Sequence, residues 1–170
     1  MTVQDWVGQW TLDPDRTQVT FRSPTFWGLA KVKGTFTKTA GAGQATAPDV
    51  VSGHLELDVA SVSTGIRKRD EHLRSADFFD VDAFPTIELE VESAAVTGPG
   101  TVELRAQLKI KGVQRPLNLV AEVTALDDGA VRLTTTTTLN RREFGVDGNM
   151  LGMMGDTTTA EAAAVFVKQS

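Results

Sequence analysis

The 170-residue chain has no cysteine, only two histidines, and no apolar run near the ~18 residues that a membrane-spanning helix needs. Without cysteine there is no disulfide framework and no thiolate metal site, and the redox compartment is left open. Zinc wants three or four ligands. His54 on a strand face and His72 in a helical turn do not supply them, so neither a metal nor a resident cofactor is expected. No serine sits in a G-x-S-x-G elbow, and the glycine-rich stretches match neither a P-loop nor a dinucleotide fingerprint. Asp70 and Glu71 are adjacent, and adjacent helical residues do not face each other, so they do not form a working carboxylate pair. No catalytic residue is therefore assigned. Residues 1–10 lack the basic and apolar regions of a secretory signal. The expected compartment is the cytoplasm, or the periplasm or exterior for a processed form. The net charge of −5, from 17 Lys+Arg against 22 Asp+Glu, weighs against a nucleic-acid partner. The short basic run Arg67-Lys68-Arg69 is answered by Asp70 and Glu71 and reads as a solvated helix face.

What the chain does have is alternation. Ile87, Leu89 and Val91 oppose Glu88, Glu90 and Glu92. Val102, Leu104, Ala106, Leu108 and Ile110 alternate with Glu103, Arg105, Gln107 and Lys109. After the turn at Lys111-Gly112-Val113 come Leu117, Leu119, Ala121 and Val123; after Asp127-Asp128-Gly129 come Val131, Leu133, Thr135, Thr137 and Leu139. A last strand runs from about Thr158 to Lys168, with Ala160, Ala162 and Ala164 on one parity. Earlier, Val32 and Phe36, and then Leu55, Leu57 and Val59, mark two more strands. Trp6 to Asp13 reads as an entry strand, Val19 and Phe21 as the start of a strand that Pro24 interrupts, and residues 40–48 as a Gly/Ala loop.

Period-two patterning with short turns predicts antiparallel pairing with one buried and one wet face. About eight strands in one domain, 1–170, fit a barrel or a sandwich. Many inward positions are small, and an eight-stranded barrel is about wide enough to hold one ligand when its inward side chains leave room. The expected lining is Phe36, Leu57, Leu89 and Leu104, with Ala106, Leu119, Ala121 and Leu133. A sandwich with interdigitated sheets is the alternative from composition.

Two segments break the alternation. Residues 63–85 hold a helical insert at about 66–76, then Phe78-Phe79 and Phe84-Pro85. Arg67–Glu71 and Asp70–Arg74 have the i, i+4 spacing of helix-stabilising ion pairs. Ile66 and Leu73 fall seven apart on one face, suited to plug a barrel end, with Phe78 and Phe79 at its mouth. The second segment, residues 148–155, places Met150, Leu151, Met153 and Met154 between glycines. Methionine suits adaptable apolar contact, so this reads as a flap over the mouth or as a loop tucked onto the barrel end.

Several segments, in order, resemble the YceI-like family of lipocalin-like, extended antiparallel barrels with affinity for polyisoprenoid lipids. They are Trp10-Thr11-Leu12-Asp13; Val19 and Phe21; Gly28 with Val32-Lys33-Gly34-Thr35-Phe36; Thr64-Gly65, Arg69-Asp70, His72-Leu73-Arg74-Ser75, Asp77-Phe78-Phe79-Asp80-Val81 and Phe84-Pro85; Leu108, Ile110, Gly112-Val113 and Pro116-Leu117; and Asn140 through Val146. The run Arg69-Asp70 to Val81 is the specific part. Where many members carry histidine before Gly28 and before the Gly-Val turn, this chain has Pro24-Thr25-Phe26-Trp27 and Lys111. The resemblance implies one extended eight-stranded barrel and a hydrophobic or lipid ligand, such as a polyprenyl chain or quinone tail, bound without catalysis. A stress-related structural or interaction protein with a filled core, and an enzyme using the same pocket, are the alternatives. Neither reading requires an integral membrane segment, and a homodimer is compatible with both.

Overall fold

The structure, a computed structural model, describes residues 3–25, 30–47, 50–148 and 155–170. Among them are eleven strand segments: β1 (Gly8–Leu12), β2 (Gln18–Thr25), β3 (Ala30–Phe36), β4 (Thr39–Ala47), β5 (Val50–Asp58), β6 (Val62–Ser63), β7 (Thr86–Gly98), β8 (Thr101–Ile110), β9 (Val113–Ala125), β10 (Val131–Asn140) and β11 (Thr157–Lys168). All pairings are antiparallel. β1 pairs with β4 on one side and with β11 on the other, which closes the sheet into a ring. β1 with β2, β3 with β4, and β5 with β6 each form one kinked stave, so the eleven segments make an eight-strand barrel. One α-helix, α1 (Arg67–Arg74), lies between β6 and β7.

The kinks have local causes. Between β1 and β2, Asp13 caps a 3₁₀ turn (Pro14–Arg16) by accepting from the Asp15 N–H, and Pro14 sits where its missing N–H costs nothing. The chain there turns away from β11, yet the backbone of the fully buried Val165 stays paired. Its carbonyl accepts from the Asp13 N–H at 2.8 Å, and its N–H donates to Thr17 Oγ1 at 3.1 Å. Asp58 plays the same capping part at the β5–β6 kink, accepting from the Ala60 N–H.

The alternation in β7 to β11 is seen in the burial. Val102, Leu104, Ala106 and Leu108 are buried along β8, while Glu103, Arg105 and Lys109 are exposed. Three expectations need correction. Residues 40–47 belong to a strand, β4, paired on both sides. Gly41 explains its composition: a Cβ there would lie 2.6 Å from the His54 carbonyl oxygen and 3.3 Å from Leu12, so close approach excludes a side chain. Pro24 does not interrupt β2, which continues to Thr25; the pairing with β11 ends at Arg22, and a strand edge tolerates proline. Ile66 does not plug the barrel: it precedes the helix in extended conformation and is exposed, leaving Leu73 as the buried apolar residue of the helix.

Replacing Thr17 with valine should cost about 1–3 kcal/mol, because it strands the buried Val165 N–H without an acceptor. Thr17→Ser, which keeps the hydroxyl, should lose far less. Urea unfolding of the two variants checks this, and a valine variant as stable as the parent would show that the hydroxyl does not hold the kink.

Candidate functional site

The inward face of the ring encloses two cavities of about 180 Å³ each. They adjoin, sharing Leu55, Leu89, Leu119, Thr135 and Ala162 as a waist. The first lies at the helical end and is lined by large side chains, among them Phe21, Phe36, Leu73, Phe78 and Phe79. Phe36 links two of these rings, at 5.6 Å from Phe21 and 6.1 Å from Phe79. Phe21 fits because its cross-strand partner is Gly34, where a Cβ would stand 2.2 Å from the Phe21 ring. The second cavity has a wall of small residues, including Ala42, Gly43, Ala45, Ala94, Ala121 and Ala164, and ends at Trp6 and Trp10.

Of the residues expected to line the lumen, Phe36 and Leu57 face the first cavity, Leu104, Ala121 and Leu133 the second, and Leu89 and Leu119 the waist. Ala106 is buried in the wall of β8 but borders neither cavity. Phe78 and Phe79 reach the first cavity from below the insert. Met150, Met153 and Met154 lie outside the described residues.

The insert is fastened by polar contacts. Asp70, buried, accepts from the Thr64 N–H at 2.8 Å and from the Thr64 hydroxyl at 2.5 Å, not from Arg74 as the helical spacing suggested. Arg69 donates to the Thr64 hydroxyl and carbonyl. The strand-to-helix joint is thereby closed on itself, and the Arg67–Glu71 pair stays exposed at 3.3 Å. Lys111, in the β8–β9 turn, donates to the carbonyls of Ala76 and Gly145 and ties the insert to the barrel. His72 contacts Asp77 at 3.1 Å and stacks edge-on with Phe78, while His54 is exposed on the outer face. Among the described residues no group of three or more His, Cys, Asp or Glu is placed to hold a metal ion, and no helix is long and apolar enough to cross a membrane.

The polar lining at the helical end was not anticipated. Ser23 and Thr158 are hydrogen-bonded to each other at 2.8 Å, and the Arg141 side chain is buried beside the first cavity. Burial presses the Arg141 pKa below the ordinary arginine value, and the like charge of Arg142 adds to this, with Asp156 and Asp147 opposing. The group stays a cation at neutral pH. The signal for all three was parity: Ser23 continues the inward series of Val19 and Phe21, Arg141 that of Thr137 and Leu139, and Thr158 that of Ala160 and Ala162.

A closed antiparallel barrel with an apolar lumen and one helical plug defines a class of small binding barrels. The YceI-like domain model matches residues 10–166, and the chain belongs to that family. A UPF0312 protein of Pseudomonas putida (strain F1) is 29% identical over 149 residues, covering 84% of this chain and 77% of that protein. A UPF0312 protein of Ectopseudomonas mendocina is 36% identical over 75 residues, which is 44% of this chain and 39% of that protein. Among solved structures, BcnA of Burkholderia cenocepacia superposes with a TM-score of 0.82 at 18% identity, over 91% of this chain and 98% of that one. A polyisoprenoid binding domain from Saccharophagus degradans, implicated in plant cell wall breakdown, superposes with a TM-score of 0.81 at 16% identity, over 94% and 98%. These likenesses fix the fold as the YceI barrel.

Removing the Asp70 carboxylate should loosen the insert, although Asp70 itself borders neither cavity. Asp70→Ala should lower stability by about 1.5–3 kcal/mol, the range for a lost hydrogen bond to a charged group. Thermal unfolding with a parallel lipid-binding assay checks this. A large loss of affinity at unchanged melting temperature would make Asp70 a binding residue instead.

Proposed function

We propose that this protein binds or carries an isoprenoid lipid, its prenyl chain threaded through the waist between the two cavities, without catalysis. The observation that carries this reading is the shape and apolar lining of the lumen. β8 spans ten residues. At ~3.3 Å per residue and ~40° of strand tilt, the lumen is roughly 25 Å long. A slender, branched, apolar chain matches such a channel better than a compact ligand does. The small residues of the second cavity and the aromatic ones of the first supply apolar contact along its length, and burial of apolar surface drives such binding at ~25 cal/mol per Å² before entropy costs. The S. degradans domain of the same fold, described as polyisoprenoid binding, supports the same ligand class.

Ala162 faces both cavities, so its replacement tests whether they act as one channel. Ala162→Phe should block long prenyl chains at the waist while leaving a short one, such as farnesol, able to occupy a single cavity. The circular dichroism spectrum should stay that of a β-barrel, with an overpacking cost of about 1–3 kcal/mol. The check is native mass spectrometry after incubation with long- and short-chain prenols. Undiminished uptake of the long chain by a folded variant would place the ligand elsewhere.

A further inference from the structure

Three neighbouring staves, β10, β11 and β2, carry inward polar residues at the helical end, and all three line the first cavity: Arg141 just past β10, Thr158 on β11 and Ser23 on β2. Arg141 is 7% exposed. Its Nε donates to the Gly155 carbonyl at 2.9 Å, and its Nη1 donates to the carbonyls of Val146 and Gly148 at 2.8 and 2.7 Å. All three acceptors are neutral. Its Nη2 is buried and has no hydrogen-bond partner among the described residues. The nearby Asp156 is engaged by Arg142, and Asp147 is exposed. A buried cation is thus left without a bound counter-charge beside an apolar cavity, with both Nη2 protons unspent. An isolated charge in that position is costly unless something pairs with it. The Ser23–Thr158 pair adds a second donor: two hydroxyls share one hydrogen bond, so one of the two protons is left for another acceptor.

We propose that this corner is a headgroup site for an anionic oxygen acceptor, a phosphate ester or a carboxylate, bound by the Arg141 Nη2 protons with the Ser23–Thr158 hydroxyls beside it. The inference rests on the reading that a prenyl chain fills the barrel, and it orients that chain: head at the helical end, tail toward Trp6 and Trp10. It makes the preferred ligand an acidic isoprenoid and not a neutral prenol or a bare hydrocarbon.

The test uses delipidated full-length protein and one chain with three heads: geranylgeranyl phosphate, geranylgeranoic acid and geranylgeraniol, titrated by calorimetry at neutral pH. At least one acid should bind about tenfold or more tighter than the alcohol, the expected gain for charge-assisted hydrogen bonds, and the better of the two identifies the head. Arg141→Gln should shrink that gap between the acids and geranylgeraniol to about two- to threefold. Because Arg141 also holds backbone carbonyls, two measurements guard against a variant that does not fold. Ser23→Ala should narrow the gap in part. In the unmodified protein, the Arg141 guanidinium ¹⁵N resonances should shift on adding an acid and not on adding the alcohol. Equal affinity for all three ligands, or guanidinium signals that ignore the acids, would overturn the headgroup site and leave chain binding standing. Failure of all three to bind would overturn the chain-binding reading itself.

Discussion

The closure of the sheet is the constraint on which the rest depends. It is made by a short segment: β1 offers three residues to β11 and four to β4. With those pairings the ring has no open edge at that seam, and its backbone donors and acceptors are satisfied sideways, between staves. A sandwich has to fill the space between its sheets to hold together. A closed ring is held by its circumference, and its interior is free to stay open. The cost of that freedom is lost dispersion contact along the lumen wall, which a ligand chain would restore. The Thr17 hydroxyl matters for the same reason, since it keeps the buried Val165 N–H paired where the seam kinks.

The two ends of the lumen are built on different principles. At the Trp6 and Trp10 end the walls are small residues and approaching backbones, as at Ala42, Gly43 and Ala45. At the other end the space is filled from outside the ring. Phe78 and Leu73 come from the insert, and the insert is attached by polar contacts: Asp70 to Thr64, and Lys111 to two carbonyls. The insert adds no strand to the ring, and its Leu73 and Phe78 pack in the same core as Val19, Phe36 and Leu57. Loosening it removes apolar contacts from the mouth while the ladder of β-pairings stays whole.

The fold was legible where side chains alternate, and the reason is physical: in β7 to β11 one face is apolar and the other wet, so the period shows which way each residue points. It was illegible where side chains carry no contrast. β4 is mostly Gly and Ala, with the His54 carbonyl and Leu12 leaving no room for a side chain at Gly41, and a strand of such short side chains has little period to read. Pro24 looked like a break because its tolerance depends on where β11 stops pairing, a tertiary fact. Asp70 was assigned to Arg74 by helical spacing. It instead accepts from Thr64, six residues back, where the helix N-cap residue Ile66 offers no side-chain cap. Parity predicted an inward lining, and seven of its eight residues border one or other cavity, with Ala106 set in the wall. The same rule, carried one residue further on β10, would have put Arg141 inside with Leu139. A charge at the end of an apolar series is easily taken for the end of the strand.

Arg141 joins the two halves of the structure. Its contacts with Val146, Gly148 and Gly155 hold both flanks of the connection between β10 and β11, while its remaining nitrogen is buried and the residue lines the first cavity. A lysine, with one nitrogen at the end of a flexible stem, cannot hold three divergent carbonyls and keep a further pair of protons apart from them; the planar guanidinium fork can. The geometry that holds these three carbonyls therefore also fixes where the spare donors sit. Whatever acceptor meets them is presented to a cation already immobilised by its other bonds. Little further side-chain entropy remains to be lost on binding, and that preorganisation lets a single buried charge discriminate between heads on an otherwise featureless chain.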